Sequence, residues 1–102
     1  MNSENKTPAS IEILQTPGFA RKKKKLQQNE IADLDKAIAA IVEDPGKGSQ
    51  KNGDLADIWV YKFKMQKKEH LLAYKWDEQR RILIALGVHE NFYRDLKRSN
   101  KF

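Results

Sequence analysis

The chain has 102 residues, with 20 Lys and Arg against 14 Asp and Glu for a net charge of +6, two His, no Cys and 39% hydrophobic residues. That length suits one compact domain and excludes a cofactor domain beside a substrate domain, while a Cys-free chain with two His excludes disulfides, thiolate chemistry and the usual structural zinc sites. No apolar run approaches the roughly 20 residues needed to span a bilayer, and the opening MNSENKTPAS lacks the apolar stretch of a secretory signal, so a cytoplasmic location is expected.

The first ten residues read as a disordered tail, 11–98 as one domain and 99–102 as a flexible tail. Ile11, Ile13 and Leu14 form a short strand candidate. Thr16 before Pro17 is a helix start, because a Thr hydroxyl accepts an orphan N–H while Pro suits the first helical position. A helix from about Pro17 to Gln28 should follow, with Phe19 and Leu26 on one face. Arg21, Lys22, Lys23, Lys24 and Lys25 wrap its circumference and repel one another. That run is either a solvated helix face or, at Arg21, Lys22, Lys24 and Lys25, a surface for an acidic partner.

From Glu30 to Val42 the apolar residues Ile31, Leu34, Ile38, Ile41 and Val42 recur at helical spacing. Asp44-Pro45-Gly46 stops this helix, and Gly46 to Gly53 is a loop. In Ile58 to Met65 the period falls to two, with Trp59, Tyr61 and Phe63 on one side and Val60, Lys62 and Lys64 on the other. His70–Trp76 and Arg81–Leu86 are two further strands joined by the polar turn 77–80, which completes an antiparallel meander. After Gly87, Glu90 to Arg98 forms a short terminal helix using Phe92 or Tyr93 with Leu96. The expected fold is therefore α+β, in the order β-α-α-β-β-β-α, with two N-terminal helices packed on one face of a small, largely antiparallel sheet. The other face, bearing Lys62, Lys64 and Lys75, should be uncovered.

Residues 51–102 carry twelve Lys and Arg against seven Asp and Glu, so the basic excess lies in the second half and suggests a polyanionic partner there. Phe19 opening a Lys-rich helix, LDKAIAAIVEDP (34–45), GDLADIWVYKFK (53–64), HLLAYKWDE (70–78) and LIALGVHENFYRDLKR (83–98) together resemble the RelE/ParE superfamily of bacterial toxins from type II toxin–antitoxin operons. The resemblance spans nearly the whole chain after residue 10. It implies the RelE/ParE-like fold, a cognate antitoxin from the same operon, and either cleavage of messenger RNA on the ribosome or, as in the ParE branch, poisoning of DNA gyrase. His89 resembles the catalytic His of YafQ-like toxins. Tyr93 falls near the catalytic Tyr of RelE, and Lys62 and Lys64 resemble strand cations of that enzyme. Val60, Leu71 and Ala85 depart from the pattern, each apolar where relatives place a cation.

Cleavage without a metal needs a base for the 2′-hydroxyl, cations for the crowded phosphate and an acid for the leaving oxygen. His89, Tyr93, Lys62 and Lys64 are the catalytic candidates, and Lys51, Lys75, Arg80, Arg81, Arg94, Lys97 and Arg98 the RNA-binding ones; no metal or small-molecule cofactor is expected. Each has a plainer reading. His89 can cap the last helix, Tyr93 can pack it onto the sheet, His70 is structural, and the strand aromatics are core. GKGSQKNG (46–53) matches neither GxGxxG nor the Walker pattern. Ribosome and message are the expected targets, with a gyrase inhibitor or a catalytically weakened binding module and co-repressor as the alternatives.

Overall fold

The computed structural model describes residues 11–88, 92–94 and 96. Its elements are β1 (Glu12–Gln15), α1 (Pro17–Lys24), α2 (Gln28–Glu43), β2 (Ser49–Gln50), β3 (Trp59–Met65), β4 (Lys68–Trp76) and β5 (Arg80–Gly87), with 3-10 turns at Pro45–Lys47 and Gly53–Leu55. Residues 92–94 and 96 are helical. The sheet runs in the order β1-β5-β4-β3-β2. β2 to β5 pair antiparallel, whereas β1 lies parallel to β5, with Ile13 opposite Arg81 and Leu14 opposite Ile82. The α+β architecture matches expectation. No helix among the described residues is long and apolar enough to cross a membrane.

Thr16 begins α1 as its sequence context requires, its Oγ1 accepting the Phe19 N–H at 3.1 Å and donating to the Ile84 carbonyl at 2.9 Å. The cap therefore also ties the helix to β5. α1 stops at Lys24 rather than Gln28, and α2 starts at Gln28, two residues earlier than expected. No Gly or Pro marks this break. It is closed instead by Glu30, whose Oε1 accepts the Gln27 N–H at 2.8 Å, while Gln27 O accepts the Ile31 N–H at 2.9 Å.

The β3–β4 hairpin turns on Gln66 and Lys67, both at positive φ (52° and 72°), a conformation that costs about 1–2 kcal/mol for each side-chain-bearing residue. Compensation comes from α2. Asp33 Oδ2 accepts the Gln66 backbone N–H at 2.8 Å and its Nε2 at 2.9 Å, and the Gln66 amide also exchanges hydrogen bonds with Asn29. These bonds hold the Asp33 carboxyl below the ordinary carboxylate value.

On the helix side of the sheet, Phe19, Leu34, Ala37 and Ile41 close over Met65, Leu72, Tyr74, Leu83 and Leu86. Each fully buried Leu, Ile or Phe contributes about 1.5–3 kcal/mol of transfer free energy. Trp59, Tyr61, Phe63 and Trp76 flank this core, half-buried. Arg81 belongs to the same side. It is 5% exposed, and its Nε and Nη2 donate to the Ile41 and Val42 carbonyls at 3.3 and 3.0 Å, its Nη1 to the Asp77 carbonyl at 2.6 Å. The last turn of α2 has no basic residue of its own, so a cation from β5 satisfies its orphan carbonyls. The guanidinium expected at an RNA surface is thus committed inside the molecule.

The opposite face is not uncovered, as the sequence had suggested. Leu55, Ile58, Val60, Leu71, Ala73 and Ile84 form a second core with Phe92 and Leu96 of the terminal helical segment. One cause is a register shift between β4 and β5, where Ala73 faces Ala85 but Tyr74 faces Leu83. This bulge leaves Ile84 without an opposite residue and turns Ile84 and Ala85 to the same side. Val60, Leu71 and Ala85, apolar where the resemblance places cations, are members of this core or packed against it.

Candidate functional site

Beside the second core, β3 changes character between Val60, 4% exposed, and Lys62, which is exposed. Period-two alternation places both on the face away from α2, so the strand passes from apolar to basic within one repeat. At that transition a hollow of about 280 Å³ is lined by Lys47, Gly48, Ser49, Lys51, Val60, Tyr61, Lys62 and Tyr93. Lys47 comes from the 3-10 turn, and Lys51 follows β2, its N–H bonded to the Ile58 carbonyl at 2.9 Å. Tyr93 is brought in by its neighbours: Phe92 and Leu96, four residues apart, are 4% and 0% exposed, which leaves Tyr93 half-buried at the rim. Its ring meets Phe92 edge-on at 5.2 Å, and Lys51 Nζ lies 5.3 Å from its centroid, within cation–π range.

Among the described residues, three ammonium groups and no carboxylate line this hollow, so its potential is positive and its natural guest an anion. The phenol adds one hydroxyl donor or acceptor. On the other side of the segment 45–49, buried Tyr74 donates its hydroxyl to the Pro45 carbonyl at 2.6 Å and accepts the Gly48 N–H at 3.2 Å. Burial pushes this phenol's pKa up, so it stays protonated and can donate across the physiological range.

Of the residues expected from sequence, Lys62, Tyr93 and Lys51 converge here. Lys64 is exposed on the same face of β3, opposite Glu69, and does not line the hollow. Lys75 lines a second hollow of about 400 Å³ with Gln50, Asp57, Trp59, Trp76, Asp77 and Ile82. Arg80 is bound by Asp77, whose Oδ2 accepts from its Nε and Nη2 at 3.2 and 3.0 Å and whose Oδ1 accepts the Gln79 and Arg80 N–H groups. Arg94 is exposed beside Tyr93. Arg21, Lys22 and Lys24 are exposed on α1 and Lys25 at its C-cap, in the helix layer, across the sheet from Lys62. His89, Lys97 and Arg98 lie outside the described residues. Lys47 was not anticipated, because a cation in a Gly-rich loop has no periodic partner to mark its direction; the pairing of Ser49 with Val60 supplies it.

The family model described as the ParE-like toxin of type II bacterial toxin–antitoxin systems matches residues 13–97. No curated protein matches the chain in sequence. Among solved structures, an E. coli toxin RelE carrying two arginine-to-alanine replacements, in the free state, aligns with a TM-score of 0.67 at 17% identity, covering 88% of this chain and 93% of that one. The intact E. coli RelBE toxin–antitoxin complex aligns at 0.62 and 21%, covering 78% and 98%, and a YoeB/ParE toxin from Agrobacterium tumefaciens at 0.62 and 17%, covering 78% and 99%. At such identities the likeness is one of fold.

Proposed function

Because the chain belongs to the ParE-like toxins of type II bacterial toxin–antitoxin systems, we propose that it acts as a ribosome-dependent endoribonuclease on messenger RNA, held in check by a cognate antitoxin. The observation that carries this reading is the convergence of Lys47, Lys51 and Lys62 with the Tyr93 phenol on one hollow. Three ammonium groups would neutralise a scissile phosphate and its neighbours and favour the charge that builds as phosphorus becomes five-coordinate. In this reading His89 takes the 2′-hydroxyl proton, the 2′-oxygen bonds to phosphorus, the P–O5′ bond breaks, and Tyr93 or water returns a proton to O5′. The products are a 2′,3′-cyclic phosphate and a free 5′-hydroxyl. DNA, lacking the attacking group, is inert. A lysine-lined hollow repels divalent cations, which suits a mechanism without metal. The antitoxin is inferred from the likeness to the RelBE complex, with Arg21, Lys22 and Lys24 of α1 and Lys25 at its C-cap offering an acidic partner a surface apart from the hollow.

Primer extension on ribosome-bound messages tests the reading. Lys62→Ala is expected to lower cleavage about 10²-fold or more, and to leave stability within about 0.5 kcal/mol because the side chain is exposed. Intact messages together with blocked gyrase supercoiling would instead establish the ParE-like gyrase inhibitor. That second reading is favoured by the apolar packing of Val60, Leu71 and Ala85 where a nuclease relative would place cations.

A further inference from the structure

Tyr74 has no exposed surface and stands on the helix side of β4, yet its hydroxyl touches the backbone that delivers Lys47 and Lys51 to the opposite side. The one phenolic proton goes to the Pro45 carbonyl, and a lone pair receives the Gly48 N–H. One buried group thereby closes both ends of the Pro45–Lys47 turn. Gly48 permits this approach: a Cβ there would lie 2.6 Å from the Tyr74 hydroxyl and 2.8 Å from the Val60 carbonyl oxygen. Beyond it, Ser49 and Gln50 pair with β3 and Lys51 is bonded to Ile58. The segment is fixed through its backbone, which leaves the two lysine stems to meet the hollow. The first core needs the ring of Tyr74 but not its oxygen.

The geometry points to Tyr74 as a positioning residue for phosphate binding, whose hydroxyl holds residues 45–48 so that Lys47 and Lys51 stand beside Lys62 and Tyr93. Its consequence for RNA rests on the functional reading above. A flexible 45–51 segment would keep its charges but scatter them, so Tyr74→Phe should mimic the removal of both lysines without changing the net charge.

The test uses the full chain and a fluorescein-labelled single-stranded RNA, titrated at several salt concentrations. Each phosphate that the protein no longer neutralises makes the slope of log affinity against log salt shallower by about 0.7, so two such phosphates make it shallower by about 1.4. Tyr74→Phe and the double variant Lys47→Ala/Lys51→Ala are each expected to show this decrease. Combining all three changes should add nothing further. Gly48→Ala, which wedges the segment away from the phenol by another route, should give the same slope. Backbone amide exchange at Gly48 and the nuclear Overhauser effect between Lys51 and Tyr93 are read in parallel: in Tyr74→Phe the amide should exchange faster and the Overhauser effect should weaken. A wild-type slope in Tyr74→Phe, or additivity with the lysine variants, overturns the assignment. Should the wild-type chain fail to bind RNA, the functional reading falls, and the amide and Overhauser measurements alone decide on the latch: unchanged signals in Tyr74→Phe refute it.

Discussion

On the helix side of the sheet, Leu72, Tyr74, Leu83 and Leu86 meet Phe19, Leu34 and Ile41, and the buried guanidinium of Arg81 is turned to the carbonyls of α2. On the other side, Ala73, Ile84 and Val60 meet Phe92 and Leu96 at one end of β3, and two residues later Lys62 opens to solvent. The first surface serves packing, with Trp59, Tyr61, Phe63 and Trp76 half-buried at its margin. The second is divided, and its apolar part is what holds Tyr93 at the edge of the basic part. Positioning chemistry and burying carbon are therefore neighbouring tasks on one strand, which explains why positions that could have carried cations carry Val60 and Leu71 instead.

The sharpest way to break this contrast is to empty the smaller core. Leu96→Ala is expected to cost about 2–5 kcal/mol in urea unfolding and to release the Tyr93 ring from Lys51. An unchanged midpoint would mean that the second face contributes nothing to the cooperative fold. Next comes the buried cation. Arg81→Met keeps the volume but strands the carbonyls of Ile41, Val42 and Asp77, and should cost about 2–3 kcal/mol while leaving the salt dependence of RNA binding untouched. Weakened RNA binding with full stability would restore Arg81 to the surface role expected from sequence.

The smallest effect concerns the clamp between α2 and the β3–β4 hairpin. The Asp33 carboxyl titrates lower in the folded chain than its ordinary value of 3.8 because it accepts the Gln66 N–H groups. Its stabilisation is therefore complete above that value and disappears as pH falls through the lowered folded value. Asp33→Asn should lower stability at neutral pH and flatten the acid limb of a urea-midpoint profile. A parallel profile for the variant would remove Asp33 from the acid response.

Much of the fold was readable because local periodicity and punctuation agree: Thr16-Pro17 starts a helix, Asp44-Pro45-Gly46 ends one, and the alternation through β3 assigns its two faces. The two helices were legible, but the place of the break between α1 and α2 was not, since Glu30 closes it with a side chain that any helix interior tolerates. The second core was hidden for a different reason. It depends on a bulge at Ile84, which shifts the pattern of β5 by one residue, and on packing between distant segments that no local spacing records. Arg81 shows the same limit, because charge is visible in a sequence and burial is not. For the hollow, Lys51, Lys62 and Tyr93 were named from residue type and resemblance, but Lys47 required the pairing of β2 with β3 to give it a direction.

The parallel pairing of β1 with β5 joins Glu12–Gln15 to residues 80–83, and the Thr16 hydroxyl bonds Ile84 across 68 positions of sequence. A nascent chain that has emerged only as far as β4 consequently offers its first strand no neighbour, and contacts of such separation are slow to close. The sheet thus gains its outermost strand only once β5 has been made.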